Sequence, residues 1–116
     1  TEEYRREFAA LLHRAIGFAG GDARGVVVVS IPDWGVMPFA ADRDASKIAG
    51  EIDRYNAVNR EEAGRAGVRY VDVTAISRRA AAEPSLAASD GLHPSAAMYR
   101  EWVGVILPEA ERVLRK

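Results

Sequence analysis

Val26-Val27-Val28-Val29-Ser30-Ile31 is the longest run of mainly β-branched residues in the chain, and Pro32 ends it. The run lacks the alternation of polar and apolar residues that a half-exposed strand shows. A strand of this kind is typical of a parallel sheet whose two faces are both covered. The sequence therefore predicts a strand in the interior of a parallel sheet rather than at its edge.

Helical patterns flank this run on both sides and alternate with strands along the chain. In order, the predicted elements are a helix over residues 2–18, the strand at 26–31, a helix over about 46–66, a strand at 68–73, a short helix at about 76–82 and a last helix from Pro94 onward. Gly67 is placed to end the second long helix, and Pro108 is expected to break or restart the last one. This alternation predicts an α/β fold with a doubly wound parallel sheet.

Composition limits the classes of function. The 116 residues are 48% hydrophobic and 28% charged, which fits one globular domain or a part of one. Sixteen basic and seventeen acidic residues leave a net charge of -1, so nucleic acid is not an expected partner. With no cysteine and two histidines, we expect no disulfide, no metal and no cofactor. No apolar stretch approaches the roughly 20 residues of a membrane span, and the cellular location stays open.

The predicted sheet has too few strands to be complete. A strand as apolar as residues 26–31 needs a neighbour on each side, and the chain opens at Thr1 directly on a helical pattern. We therefore expect residues 1–116 to be the C-terminal portion of a single domain, with further strands upstream. An unpaired strand edge is a template for association. The expected partners are thus the missing N-terminal segment of the same protein or, as a homo-oligomer, a second copy.

Two residues with catalytic potential follow the last predicted strand. In open α/β sheets functional groups collect beyond the carboxyl ends of the strands, where Asp90 and His93 lie. An Asp three residues before a His can bind the imidazole Nδ1–H while Nε2 faces a cleft. In a Ser-His-Asp triad the Asp fixes the tautomer and the His takes the serine proton. The spacing equally fits an Asp that caps the helix near Pro94, with His93 as a solvated loop residue.

The residues around this pair resemble a known family. Ser89-Asp90-Gly91-Leu92-His93-Pro94-Ser95, with Tyr99 and Trp102 beyond it, is similar to the last signature block of the GDSL-type, or SGNH, serine hydrolases. The stretches 29–39 and 55–59 resemble one bacterial branch of the same family. The resemblance implies a three-layer α/β/α, flavodoxin-like domain with a five-stranded parallel sheet. It also implies esterase or lipase activity, with Asp90 and His93 as the catalytic residues of this chain.

The nucleophile of that family has no counterpart in these residues. The Gly-Asp-Ser block and the two oxyanion-hole blocks would all precede Thr1. No serine of the chain stands in a Gly-x-Ser-x-Gly or Gly-Asp-Ser context. Ser30 lies near a strand end but is followed by Ile-Pro instead of the small residues that expose a nucleophile. We expect the chain alone to be inactive on a carboxylic ester.

The loop after the first strand is rich in aromatic and apolar residues. Asp33 and Trp34 can line an acyl or sugar pocket as substrate-binding residues, or the loop can pack onto the sheet edge. Short acyl esters, acetylated sugars and lysolipids all remain open as substrates. The alternative function is a non-catalytic, flavodoxin-like binding module, in which Asp90 and His93 have no serine nearby.

Overall fold

The computed structural model describes residues 1–115, which form helices and a small parallel sheet in the predicted order. The elements are α1 (Glu2–Phe18), β1 (Val27–Val29), α2 (Ala45–Ala66), β2 (Arg69–Val71), α3 (Thr74–Arg78) and α4 (Ala96–Leu114). Short 3₁₀ turns lie in the connections, at Ala23–Gly25, Trp34–Val36, Pro38–Ala40, Arg79–Ala81 and Pro84–Leu86. This is a mixed helix and strand arrangement compatible with an α/β fold.

The sheet pairs β1 with β2 in parallel, with Val28 opposite Tyr70. Both strands are shorter than predicted. Beyond β1, side chains take the hydrogen bonds that a neighbouring strand would otherwise make with the backbone. The backbone N–H and C=O of Ile31 bind the amide group of Asn56, at 2.9 and 3.1 Å. Within residues 1–115, β1 pairs on one side only, so the expected interior strand is an edge here. Val29 on this strand is 39% exposed.

Two apolar clusters hold the helices in place. The first lies between α1, α2 and the sheet and contains Leu12, Ala63 and Val68. The second lies under α4 and contains Met37, Ala80, Leu86 and Met98. The second cluster joins the loop after β1 to the segment before α4. Since these are the two segments that carry the predicted site, its packing fixes their relative position.

The long helices end and begin at residues with a clear physical reason. Asp44 caps α2 by accepting a hydrogen bond from the Lys47 N–H at 3.0 Å, and Gly67 ends it with φ +74°. The last helix begins at Ala96, not at Pro94, because the hydroxyl of Ser95 accepts from the Met98 N–H.

The prediction that Pro108 breaks or restarts the last helix is wrong, because α4 runs through it without interruption. The proline lacks the N–H that would bind the carbonyl of Gly104, four positions earlier, but the turns on both sides of it remain helical. An ion pair at 2.8 Å between Arg69 and Glu109 also fastens the following turn to β2. None of the helices in residues 1–115 has the length and apolarity needed to cross a membrane.

Candidate active site

The carboxylate of Asp90 contacts the imidazole of His93 within one tight turn. Asp90 Oδ2 lies 2.5 Å from His93 Nδ1. Asp90 Oδ1 accepts the backbone N–H groups of Leu92 and His93, at 2.9 and 3.0 Å. Gly91 adopts φ +73°, a left-handed conformation that suits glycine. One carboxylate oxygen therefore holds the turn and the other orients the imidazole.

Backbone hydrogen bonds fasten the turn on two sides. The Ala88 N–H donates to the His93 C=O at 2.8 Å, and the Ser95 N–H donates to the Leu86 C=O at 2.9 Å. On the other side, the Phe39 N–H donates to the Gly91 C=O at 2.9 Å. A Cβ on Gly91 would lie 3.3 Å from the Cβ of Pro38, so the two loops are packed closely. The turn is thus held by both segments that the second apolar cluster joins.

The pair is open to solvent. The side chains of His93 and Asp90 are 68% and 50% exposed. Within residues 1–115, the His93 side chain has no hydrogen bond besides the one to Asp90, which leaves Nε2 open. Two backbone N–H groups and the His93 side chain lower the pKa of the Asp90 carboxyl from 3.8 to about 2. An ionised carboxylate that orients an imidazole is the arrangement of the Asp-His part of a triad.

The helix-capping alternative for Asp90 does not fit this geometry. The N-terminus of α4 is capped by Ser95, and the N–H groups that Asp90 binds belong to its own turn. His93 is nonetheless exposed, as that alternative expected. The carboxylate of Asp90 thus shapes a turn that precedes the helix, and does not begin the helix itself.

The hydroxyl group of Ser30 is buried and takes part in hydrogen bonds that hold the structure together. Its side chain is buried, at 3% exposure, and its oxygen accepts the N–H groups of Val73 and Thr74 at 2.8 and 3.1 Å. The hydroxyl donates to Asp72 at 3.2 Å. These contacts join the carboxyl ends of the two strands and leave no room for Ser30 to approach an ester. Ser77 is likewise fully buried, and its hydroxyl donates to the Thr74 C=O at 2.6 Å.

The two predicted substrate-binding residues, Asp33 and Trp34, differ in their exposure to solvent. Asp33 is only 1% exposed. Its carboxylate accepts the Gly35 N–H at 2.8 Å and the Arg78 Nε–H at 2.9 Å. Trp34 is 37% exposed, on the surface of the same loop. Asp33 therefore organises the loop from inside, whereas Trp34 is accessible to a ligand.

Sequence reasoning missed the residues that fix this loop. Arg78 binds Asp33 from 45 positions away and also pairs with Asp53 at 2.8 Å, and no local pattern announces such a contact. Gly35 could have been noticed in part, because it is a glycine between the apolar residues Trp34 and Val36. A Cβ there would lie 2.8 Å from a methyl carbon of Ile48, so the tight packing requires glycine. Within residues 1–115, no three His, Asp or Glu side chains form a group able to hold a metal ion.

Comparison with known proteins identifies the family. The helices and the small parallel sheet are compatible with an α/β fold. The model of the GDSL-like Lipase/Acylhydrolase family matches residues 1–101, and the chain belongs to this family. The family prediction from the sequence is thereby confirmed, and membership indicates an acylhydrolase-type function. No curated protein and no solved structure matches the chain.

Proposed function

We propose that this chain supplies the Asp-His part of a Ser-His-Asp triad in a carboxylic-ester hydrolase. The observation that carries the proposal is the 2.5 Å contact between Asp90 Oδ2 and His93 Nδ1, in a turn that leaves Nε2 open. Membership of an acylhydrolase family supports the same chemistry. In this proposal His93 is general base and then general acid, and Asp90 orients it.

The steps follow from the two ring nitrogens. As the serine oxygen attacks the ester carbonyl carbon, Nε2 of His93 takes the hydroxyl proton. The ionised Asp90 then stabilises the imidazolium through Nδ1–H. His93 returns the proton to the departing alcohol oxygen, which leaves an acyl-serine. Water, deprotonated by the same nitrogen, attacks the acyl carbon, and His93 then returns this proton to the departing serine oxygen, which releases the carboxylic acid and the free serine.

The serine in this proposal comes from a segment that precedes Thr1 in the same protein. Two observations support this placement. Ser30 and Ser77 are buried with their oxygens already bound, and no serine of the chain has the context of a nucleophile. Among residues 1–115, β1 also pairs on one side only, and its other side offers a place for further strands, which would complete a three-layer, flavodoxin-like domain. Residues 1–116 would then be its C-terminal portion, and pairing of this edge with a second copy is the alternative.

The proposed substrate is a small-molecule ester that contacts the loop after β1. Trp34 is the exposed residue of the predicted pair and supplies the direct contact. Asp33 contributes indirectly, because its bonds to Gly35 and Arg78 hold the loop in shape. Neither nucleic acid nor a metal takes part in this scheme.

Ester hydrolysis by the natural protein that carries this chain tests the proposal. With p-nitrophenyl acetate, His93→Ala should lower kcat by about 10⁴-fold or more, because the serine loses its base. His13→Ala is the matched control, since His13 is also exposed but lies on α1. Its kcat should stay within about twofold of the wild type. Full activity in His93→Ala would refute the triad, and a wild type without esterase activity would favour the non-catalytic module.

A further inference from the structure

A groove of about 300 Å³ lies between the loop after β1 and the segment before α4. Twelve residues line it, and among them Arg43 is the only one with a charge. Half of the lining consists of alanines: Ala40, Ala41, Ala45, Ala80, Ala81 and Ala87. The lining of the groove is therefore largely apolar and consists mainly of small side chains.

Both walls of the groove are hydrogen-bonded to the turn that holds Asp90 and His93. The first wall is joined through the Phe39 N–H and the Gly91 C=O, at 2.9 Å. The second wall is joined through a backbone bridge between Ala87 and Pro94 and through the adjacent Ala88 N–H, which binds the His93 C=O. The position of the groove relative to the imidazole is therefore fixed by backbone contacts on each side.

The charge of Arg43 is directed toward the aromatic rings of the loop. Its Cζ lies 5.9 Å from the ring centres of both Trp34 and Phe39, which is within the range of cation–π contacts. Asp42 is the acidic side chain paired with Arg43, at 3.9 Å. The guanidinium is thus within cation–π range of these rings, and the other eleven residues that line the groove carry no charge.

The size and the polarity of the groove limit which ligands it can bind. Small-molecule sites occupy about 300–1,000 Å³, so this groove is at the lower limit. Alanine and proline side chains offer no hydrogen bonds, and burying the hydroxyl groups of a sugar without partners is costly. We propose that the groove binds the short, unbranched acyl chain of the ester. This inference rests on the proposed esterase function and assigns the acyl specificity to the alanine-lined walls.

Paired leucine variants test the acyl groove in the natural protein. Ala81 lines the groove and Ala82 does not, although both are exposed neighbours. Because one carbon changes binding in an apolar pocket by about 10-fold or more, Ala81→Leu should lower kcat/KM for p-nitrophenyl hexanoate by that factor. The acetate ester and the Ala82→Leu variant should each stay within about twofold. Equal losses on both esters, or no loss on the hexanoate, would overturn the proposal.

A binding measurement tests the groove independently of catalytic activity. Sodium hexanoate is titrated into protein with ¹³C-labelled alanine methyl groups and observed by NMR. Saturable shifts of the Ala41 and Ala45 methyl groups are expected in the wild type and in Ala82→Leu, but not in Ala81→Leu. If Ala81→Leu fails to fold, Ala41→Leu takes its place, with Ala45 observed. Such shifts in a protein without esterase activity would support the groove and refute only the hydrolase. Shifts confined to other alanines would refute the groove.

Discussion

Two groups of polar side chains lie beyond the carboxyl ends of β1 and β2, and they differ in burial and in the number of bonds they make. Ser30 and Thr74 are buried, and the Ser30 oxygen is bound by both the backbone and the side chain of Thr74. Asp90 and His93 are at least half exposed, and the imidazole keeps one nitrogen open. Both groups contain residue types that catalyse reactions. Only the second has a free atom with which to do so.

The difference has a physical cause. A buried hydroxyl must have its hydrogen bonds made inside the protein, because each unpaired donor or acceptor costs about 1–3 kcal/mol. Ser30 meets this requirement because its hydroxyl group accepts the Val73 N–H and donates to Asp72. With these bonds made, the hydroxyl holds the two strand ends together and is not available to react. An exposed imidazole is satisfied by water, which a substrate can displace. In the proposed function, the buried and fully bonded hydroxyl has a structural role, and the oriented but open imidazole has the chemical one.

The sharpest test of the exposed group is Asp90→Asn. The amide oxygen of Asn can still accept the N–H groups of Leu92 and His93, so the turn should survive. The amide cannot stabilise the imidazolium and favours the wrong tautomer, so kcat for p-nitrophenyl acetate should fall on the order of 10⁴-fold. Urea unfolding serves as the control and should show only a small decrease of the midpoint, because the charge that Asn lacks supports an exposed and largely screened turn. An unchanged kcat would remove the distinction between the two groups.

The buried group should show the opposite response. Ser30→Ala leaves the N–H groups of Val73 and Thr74 without this acceptor, so it should lower the free energy of unfolding by about 1–3 kcal/mol. Its kcat, measured well below the unfolding temperature, should remain within a few-fold. Ser46→Ala, at an exposed position of α2, is the matched control and should change stability by less than about 0.5 kcal/mol. Loss of activity without loss of stability would give Ser30 a catalytic role.

A smaller effect concerns the titration of Asp90. The lowered pKa means that the charged carboxylate supports the turn fully above pH 3.8 and loses this support as the pH falls to about 2. NMR titration of the Asp90 carboxyl carbon should therefore have its midpoint near 2. In His93→Ala the midpoint should stay below 3.8, because the backbone N–H groups are the leading cause. A midpoint at 3.8 in either protein would contradict this account of the turn.

Local patterns predicted the parts of the fold that depend on nearby residues. The first helix has the expected bounds, since its apolar spacing and the glycines after it are local signals. Asp90 and His93 share one turn, so their contact follows from a separation of three positions. The strands end earlier than expected because Asn56, on α2, takes the hydrogen bonds of Ile31, and the Ser30 hydroxyl accepts the N–H of Val73. That contact depends on tertiary packing.

The loop contacts of the candidate site were beyond sequence reasoning for the same reason. The hydrogen bond between the Phe39 N–H and the Gly91 C=O joins two loops that are distant in the sequence. Nothing in the residue type of either partner indicates this contact. The burial of Asp33 depends on Arg78, which follows β2. A carboxylate in a loop looks accessible in the sequence, so the predicted substrate contact could not be distinguished from a structural ion pair.

The serine that reacts beside His93 can be identified by covalent labelling. A fluorophosphonate probe is added to the natural protein, and the labelled residue is located by mass spectrometry of its peptides. We expect one labelled serine outside residues 1–116, with labelling lost in His93→Ala and retained in Ser30→Ala. Stoichiometric label on Ser30, or labelling that does not depend on His93, would contradict this expectation.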